Sequence, residues 1–557
     1  MSNREEKKKD LSRRDFVRTT AAAIGATSLA GIGAQETDAA QASRHWDKVA
    51  DVVIIGSGAS GFPASIEAAE HGASVIVIEQ NYDIGGHAIQ SGGNIALGGG
   101  TSLQKKYGIE DSPDRMFEDL MSWHDYRFSD REIVRAFCDE SPATFEFLVA
   151  HGVVFPDRSP IGVDGGPQNV KRAQISLWTG EVNKYAPNGG NGTALMRPLE
   201  ASAKKLGVQI LLAHSFTGLI REGNSSGKVL GITATAQGKT LNIQAKKGVI
   251  LGTGGHSSNV NFRRMFDPRL TEEYQVVGEP YSRQTGDGEI AAMQIGASLW
   301  GAANQTVETK ARSHIFEKPY VIGNQYGYPH GGGARPENLK DSPVPGLARA
   351  IGLQVTSYQN LIQVNQVGKR FVNEMATGFD WWNPCLEWNV GKGEGGGPIW
   401  AIFDADAVQR EKWVCEPPFV DPDGWFFSAT TLAELAGKIV SKYQKQPISG
   451  AILEETVVRY NSFVDAGKDE DFGKPTPKYK IQTAPFYAAW STPCIHDCTS
   501  GLRINGKAQV IDMKGQVIPG LYCAGESAGG FNQHGLARSL TFGRIAGREA
   551  ARSISNT

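Results

Sequence analysis

Residues 50–79 leave this chain few ways to fold. The short β-branched run Ala50-Asp-Val-Val-Ile-Ile55 meets Gly56-x-Gly58-x-x-Gly61, a helix-compatible stretch runs on to about His71, and a second apolar run, Ala73–Ile78, ends at Glu79. Strand, tight turn, helix and strand in this order make a βαβ unit of a parallel sheet. Gly56 permits the turn, Gly58 lets the backbone approach a pyrophosphate, and Gly61 lets helix and strand pack closely. Ala59 and Ser60 complete a helix N-terminus that faces the phosphates. Glu79, followed by Gln80, stands where a carboxylate accepts ribose hydroxyls. A dinucleotide site on an α/β sheet is therefore predicted.

Two later segments narrow the choice of dinucleotide. Gly85-Gly86-His87-Ala88-Ile89-Gln90-Ser91-Gly92-Gly93-Asn94 is rich enough in glycine to wrap a flat ring, and NAD sites do not usually need such a segment. Near the other end, Gly520-Leu-Tyr-Cys-Ala-Gly-Glu526-Ser-Ala-Gly-Gly530 and Thr541–Ala551 read as strand, turn and helix, with a helix N-terminus that could hold a ring carbonyl. Together with Gly248–Gly255, Thr285-Gly-Asp-Gly288, Gly368-Lys-Arg-Phe-Val-Asn-Glu374, Tyr460-Asn-Ser-Phe-Val, Asp471-Phe-Gly and Pro485-Phe-Tyr487, these pieces resemble the fumarate reductase and 3-ketosteroid dehydrogenase superfamily of flavoproteins.

The resemblance implies FAD, and a discontinuous Rossmann-type α/β FAD-binding domain (residues 43–303 and 475–557) with an inserted α+β capping domain for the substrate (304–474). It places the cofactor against the glycine turn, Glu79, Gln80, Gly86, His87, Ala88, Ser91, Gly92, Gly93, Thr253, Gly254, Asp287, Glu526 and the helix around Arg538, Ser539 and Leu540. His87 also stands close to where membrane-bound relatives tether FAD, so a covalent histidyl link is a second form to test. No second glycine-triplet unit appears, so a bound nicotinamide is not predicted.

In this superfamily the flavin exchanges hydride with one carbon while a side chain handles the proton on its neighbour. Fumarate reductases add histidines and arginines that clamp two carboxylates. Here the stretch after Glu374 holds no arginine, Val307-Glu308-Thr309 replaces a histidine motif, and His496-Asp497-Cys498-Thr499-Ser500-Gly501 keeps one histidine. What replaces the cations is aromatic: Phe379, Trp381, Trp382 and Trp388, with Tyr320, Tyr326 and Tyr328, which would suit a flat apolar substrate. The predicted proton-handling residues are Tyr487 and Tyr126, with His496 and Arg538 as the other candidates. The expected reaction is addition or removal of hydrogen across a carbon–carbon bond next to a carbonyl in an apolar cyclic or aromatic compound. Alternatives are reduction of a small unsaturated acid held by Arg538 and His496, and a non-catalytic electron carrier.

The remaining features set bounds. A formal charge of -2 without a basic tract excludes nucleic acid as a natural partner. Ser12-Arg13-Arg14-Asp15-Phe16, an Ala/Gly-rich run and Ala40-Gln41-Ala42 read as a twin-arginine export signal over residues 1–42, which predicts a periplasmic protein with no membrane span after it. None of the six cysteines makes a haem motif, so electrons are expected to pass through a separate cytochrome or quinone-linked partner. Strand alternation would put Cys494, His496 and Cys498 on one face, yet buried filling is their expected role and no metal is predicted. Helices are expected within 112–152 and 431–460, and hairpins over 206–250.

Overall fold

The computed structural model describes residues 44–122, 129–162, 170–177, 191–223, 225–279, 281–300, 314–317, 350, 352–377, 379–387, 396–531, 533 and 535–554. Residues 1–42, read above as an export signal, and Tyr126, Tyr320, Tyr326, Tyr328 and Trp388 lie outside them, as does the side chain of Phe379.

The βαβ unit forms where the spacing predicts it. Strand β1 (Lys48–Ile55), helix α1 (Gly61–Glu70) and β2 (Val75–Ile78) follow in order, the strands pairing in parallel from Val52↔Val75 to Ile55↔Ile78. Every residue of β2 is buried, as an unbroken apolar run between two layers requires. Helices α2 (Pro113–Ser122) and α3 (Arg131–Ala150) come next, and β3 (Gln209–Leu211) pairs beyond β2. Strands β4 (Ser215–Arg221), β5 (Val229–Ala236) and β6 (Lys239–Leu251) form the expected hairpins. The β5–β6 turn is Gln237-Gly238, both at positive φ (50° and 76°), the conformation that a two-residue turn needs to follow the twist of its strands.

The far half of β6 runs parallel to β1, and after the cap the chain returns as β13 (Gln509–Ile511) and β14 (Val517–Cys523), which adds to the outer side of β6. The sheet order is β13-β14-β6-β1-β2-β3, so residues from both ends of the sequence share one layer. The last helix, α7 (Leu536–Arg552), lies directly on α1. A Cβ on Gly543 would stand 2.3 Å from Ser60 O and one on Gly547 2.2 Å from Ala64 O, so both glycines serve this close approach. Arg544 Nε, donating to Glu67 Oε1 at 2.7 Å, ties the two helices across the contact.

The cap is built on an antiparallel sheet of order β8-β9-β11-β10, where β8 is Ile362–Val364, β9 Trp400–Asp404, β10 Phe426–Ala429 and β11 Phe486–Trp490. Helices α5 (Leu432–Lys438) and α6 (Gly450–Ala466) cover one face. This corrects the boundary expected at residue 475. Strand β11 pairs with β9 from Trp400↔Trp490 to Asp404↔Phe486, Ala488 and Trp490 join the core of Trp400, Trp425 and Tyr460, and Tyr487 and Ala489 join that of Phe403 and Phe426. With both faces of the strand committed, the chain leaves the cap only after Trp490. Strand β7 (His314–Glu317), expected inside the cap range, pairs instead with β12 (Cys494–Cys498).

One further expectation changes in the cap. Trp381 and Trp382 pack with Phe371, Val372, Cys385 and Ile399, and Trp381 Nε1 donates to Gln363 Oε1 at 2.9 Å, so both rings are core rather than substrate wall. Arg370 of the Arg-Phe-Val-Asn-Glu stretch is buried as well. Its guanidinium makes two 2.9 Å bonds to Glu374 and one to Asp469, and Lys474 Nζ reaches Glu374 Oε2 at 3.3 Å.

Candidate active site

The C-terminal ends of β1, β2, β6 and β14 open on one cleft of about 270 Å³, bordered by Ile55 and Gly56, Ile78 and Glu79, Gly252 and Thr253, and Gly525 and Glu526. Ligands of parallel sheets bind outside this edge. At its phosphate end the three glycines differ in task. Gly56 has φ +95° and a Cβ there would stand 2.2 Å from Gly252 O, while one on Gly61 would stand 1.9 Å from Gly56 O. Gly58 meets only Gly85 O, at 3.8 Å, so its Cα is open to a ligand. Ser60, at the start of α1, makes no side-chain cap; Phe62 N–H is taken by Gly58 O at 3.3 Å and Pro63 carries none, so an anion there is favoured by the positive end of the helix rather than by a row of free N–H groups.

Glu79 is fixed from both sides. Its Oε2 accepts from Ser57 N at 3.0 Å and Ser57 Oγ at 2.7 Å, and its Oε1 from Asn81 N at 3.0 Å. Gly58, Ala59, Ser60, Gln80, Gly86, His87, Ala88, Ser91, Gly92, Gly93, Gly254 and Asp287 border the cleft as well. Asp287 opens helix α4 (Asp287–Gln294) and accepts from Thr285 Oγ1 at 2.8 Å. Ser539 borders the cleft with Gly535 and Leu536 at the start of α7, a terminus without a side-chain cap. Such an end favours negative charge on a bound ring.

Three expected contacts are not on the lining. Gly61 is taken up by the turn, Leu540 is wholly buried, and Arg538, 2% exposed, donates to Phe531 O at 2.7 Å and Cys498 O at 2.8 Å. Arg538 therefore braces the loops on either side of the cleft. Tyr487 is also elsewhere: its ring stacks on Phe403 with centroids 5.3 Å apart, and burial pushes its phenol up.

His496 does reach the cleft, together with a residue that alternation would have sent to the opposite face. In the β7–β12 ladder, Asp497 faces Ile315 and Ile495 faces Phe316, so His496 is an extra residue between consecutive pairs. A bulge of this kind turns neighbouring side chains to one side. His496 Nδ1 and Asp497 Oδ1 stand 2.9 Å apart, and Asp497 Oδ2 accepts from Gly535 N at 3.0 Å. The His496 and His87 rings are 5.5 Å apart, and His87 Nδ1 lies 3.6 Å from Glu526 Oε1. His87, Asp497 and Glu526 offer ligand atoms within 4.8 Å of one another, but Gln284 Nε2 already stands against His87 and Glu526 where a cation would. Cys498 lies behind this wall, its Sγ 3.0 Å from Ser257 Oγ and its thiol pushed well up by burial.

Asn81, His214, Phe216, Arg283, Gln284 and Asp497 are lining residues that the spacing rules did not select. Two of them had a nearby signal: Gln284 precedes the Thr285-Gly-Asp-Gly288 motif, and Asp497 follows His496 in the segment that keeps one histidine.

The open Cα of Gly58, the two uncapped helix starts and the anchored Glu79 fit FAD, with phosphates at α1, ribose hydroxyls at Glu79 and the flavin beside α7. A tether through His87 is another matter. Its Nδ1 already stands against Gln284 Nε2 at 3.3 Å and Glu526 Oε1 at 3.6 Å, so a bond to the flavin there would have to displace both. Acid precipitation should release all the flavin into the supernatant; colour retained in the pellet after washing would establish the covalent bond instead.

Comparisons with known proteins point to the same cofactor. The sequence pattern of the FAD binding domain family matches residues 51–315 and 342–539. Fumarate reductase (cytochrome) of Shewanella frigidimarina is 31% identical over 531 residues, covering 93% of this chain and 79% of its own. The acrylate reductase flavoprotein subunit of Shewanella woodyi is 28% identical over 97% of this chain and 98% of its own. Among solved structures, 3-ketosteroid-Δ4-(5α)-dehydrogenase of Rhodococcus jostii in complex with 4-androstene-3,17-dione superposes with a TM-score of 0.59, is 25% identical, and is covered over 99% of its length by 92% of this chain.

Proposed function

The chain belongs to the FAD binding domain family, as an FAD-dependent oxidoreductase acting on carbon–carbon bonds, and from that premise we propose that its substrate carries a double bond conjugated to an uncharged carbonyl. One observation carries the choice: the wall around His496 presents the carboxylates of Asp497 and Glu526, while the candidate clamp, Arg538, lies off the lining and donates to two backbone carbonyls. A dicarboxylate entering there would meet like charge in a low-dielectric cleft, a repulsion that a neutral carbonyl avoids. The likeness to a ketosteroid dehydrogenase supports the same substrate class.

Bound FAD supplies the hydride acceptor or donor. The chain's own contribution is His496, oriented by Asp497 so that the opposite ring nitrogen handles the proton of the carbon next to the carbonyl, with Asp497 stabilising the charged ring. Electrons come from or go to a separate redox protein. A relative covered over 98% of its length and named as a flavoprotein subunit supports that arrangement. Export by a twin-arginine signal over residues 1–42 would place the exchange in the periplasm. Among the described residues no helix is long and apolar enough to cross a membrane.

A second reading, a small unsaturated monocarboxylic acid, draws on Arg283, whose exposed side chain borders the cleft, and on the acrylate reductase relative. The test is anaerobic mixing of photoreduced enzyme with each acceptor while flavin absorbance is followed. Cyclic enones should reoxidise the flavin and fumarate should not. Reoxidation by acrylate or urocanate with none by enones would replace the first reading with the second.

A further inference from the structure

Gln284 is held at both ends. Its N–H donates to Ser258 Oγ at 3.0 Å, its carbonyl accepts from Ser258 N–H at 2.9 Å, and its side-chain stem lies against Gly254. The residue is 2% exposed yet borders the cleft. Its amide nitrogen donates to Glu526 Oε2 at 2.6 Å and meets His87 Nδ1 at 3.3 Å, so both of its hydrogens have partners. The contact with Glu526 also settles which end of the amide is which, because the flipped form would set an oxygen against a carboxylate. Gln284 Oε1 is left buried, with no hydrogen-bond partner among the described residues.

Buried carbonyl oxygens are rarely left unpaired, and one at the wall of a ligand cleft is paired by what enters. We propose that Gln284 is an FAD-anchoring residue: Oε1 accepts a hydrogen bond from an N–H or O–H of FAD, while Nε2 holds Glu526 and His87 against the same cofactor. FAD carries donors of both kinds, in its ring imide and in its ribityl and ribose hydroxyls. Anchoring of this sort fixes the flavin relative to His496 without touching the substrate.

The two halves of the amide separate by experiment, since the Nε2 bonds exist without cofactor and the Oε1 bond only with it. Apoprotein of the wild type and of Gln284→Met, which keeps the length and loses both polar atoms, is titrated with FAD and followed by flavin fluorescence quenching, and the apo melting midpoint is recorded. The variant should bind FAD roughly tenfold more weakly, the factor expected for one hydrogen bond. An affinity within twofold of wild type, whatever the apo midpoint does, overturns the proposal and leaves Gln284 a structural brace. Should the methionine variant fail to fold, Gln284→Asn, which withdraws both amide ends by one methylene, is expected to show the same weakening, and unchanged affinity there overturns the proposal equally.

Discussion

His496→Asn should lower turnover roughly 10²- to 10⁴-fold while FAD content and the flavin spectrum stay as in wild type. The expectation follows from placement: the bulge in β12 brings the imidazole and its carboxylate partner into the cleft together, 2.9 Å apart. Asparagine keeps a polar side chain of similar reach to the δ position but has no group that exchanges protons near neutral pH. Asp497→Asn should cost less, about 10- to 100-fold, because it removes the orienting charge and leaves the imidazole in place. Single-turnover reoxidation of the reduced enzyme by an enone, run beside steady-state assays, assigns the loss to the chemical step. Wild-type rates in His496→Asn would remove the histidine from the mechanism and leave Tyr126, outside the described residues, as the candidate still to be tested.

What the spacing rules could see was local. Gly56-x-Gly58-x-x-Gly61 with Glu79 places a strand, a turn and a helix whose geometry depends on neighbours within thirty residues, and the cleft forms there. The meeting of β14 with β6, and of α7 with α1, involves residues hundreds of positions apart; it was legible only as a family resemblance in Gly525-Glu526 and Thr541–Gly547. Period-2 alternation failed at two places for opposite reasons. In β12 the ladder slips by one residue at His496, so Asp497 joins its neighbour's face. In β11 alternation holds, but each face packs on its own apolar cluster, so the half-buried Tyr487 is held against Phe403 and Phe426 rather than in the cleft. The tryptophans of 381–382 show the limit of composition: an aromatic cluster reads the same whether it lines a pocket or fills one, and here the indoles pack on Phe371 and Ile399. Gln284 is marked in the sequence only by its place before Thr285-Gly-Asp-Gly288, because its importance comes from Glu526 and His87 arriving from opposite ends of the chain.

Glu374→Gln should destabilise the protein by about 3–5 kcal/mol in urea unfolding at neutral pH, the range for breaking a buried ion pair from one side. Glu374 is wholly buried between Arg370 and Lys474, and the variant leaves these two cations with Asp469 alone. The size of the effect should depend on pH in one direction. Burial by itself raises the Glu374 carboxyl, but Lys474 and Arg370 outweigh it and hold the group below the usual glutamate range. A carboxyl with a depressed folded value contributes its full stability above the unfolded value, near ~4.3, and loses it as pH falls through the folded one. The gap between wild type and variant should therefore be level from neutral pH down to about 5 and close progressively below about 4. A gap that persists unchanged to pH 3 would mean that the pair's contribution is packing rather than charge, and the cap would then be held by its tryptophan core alone.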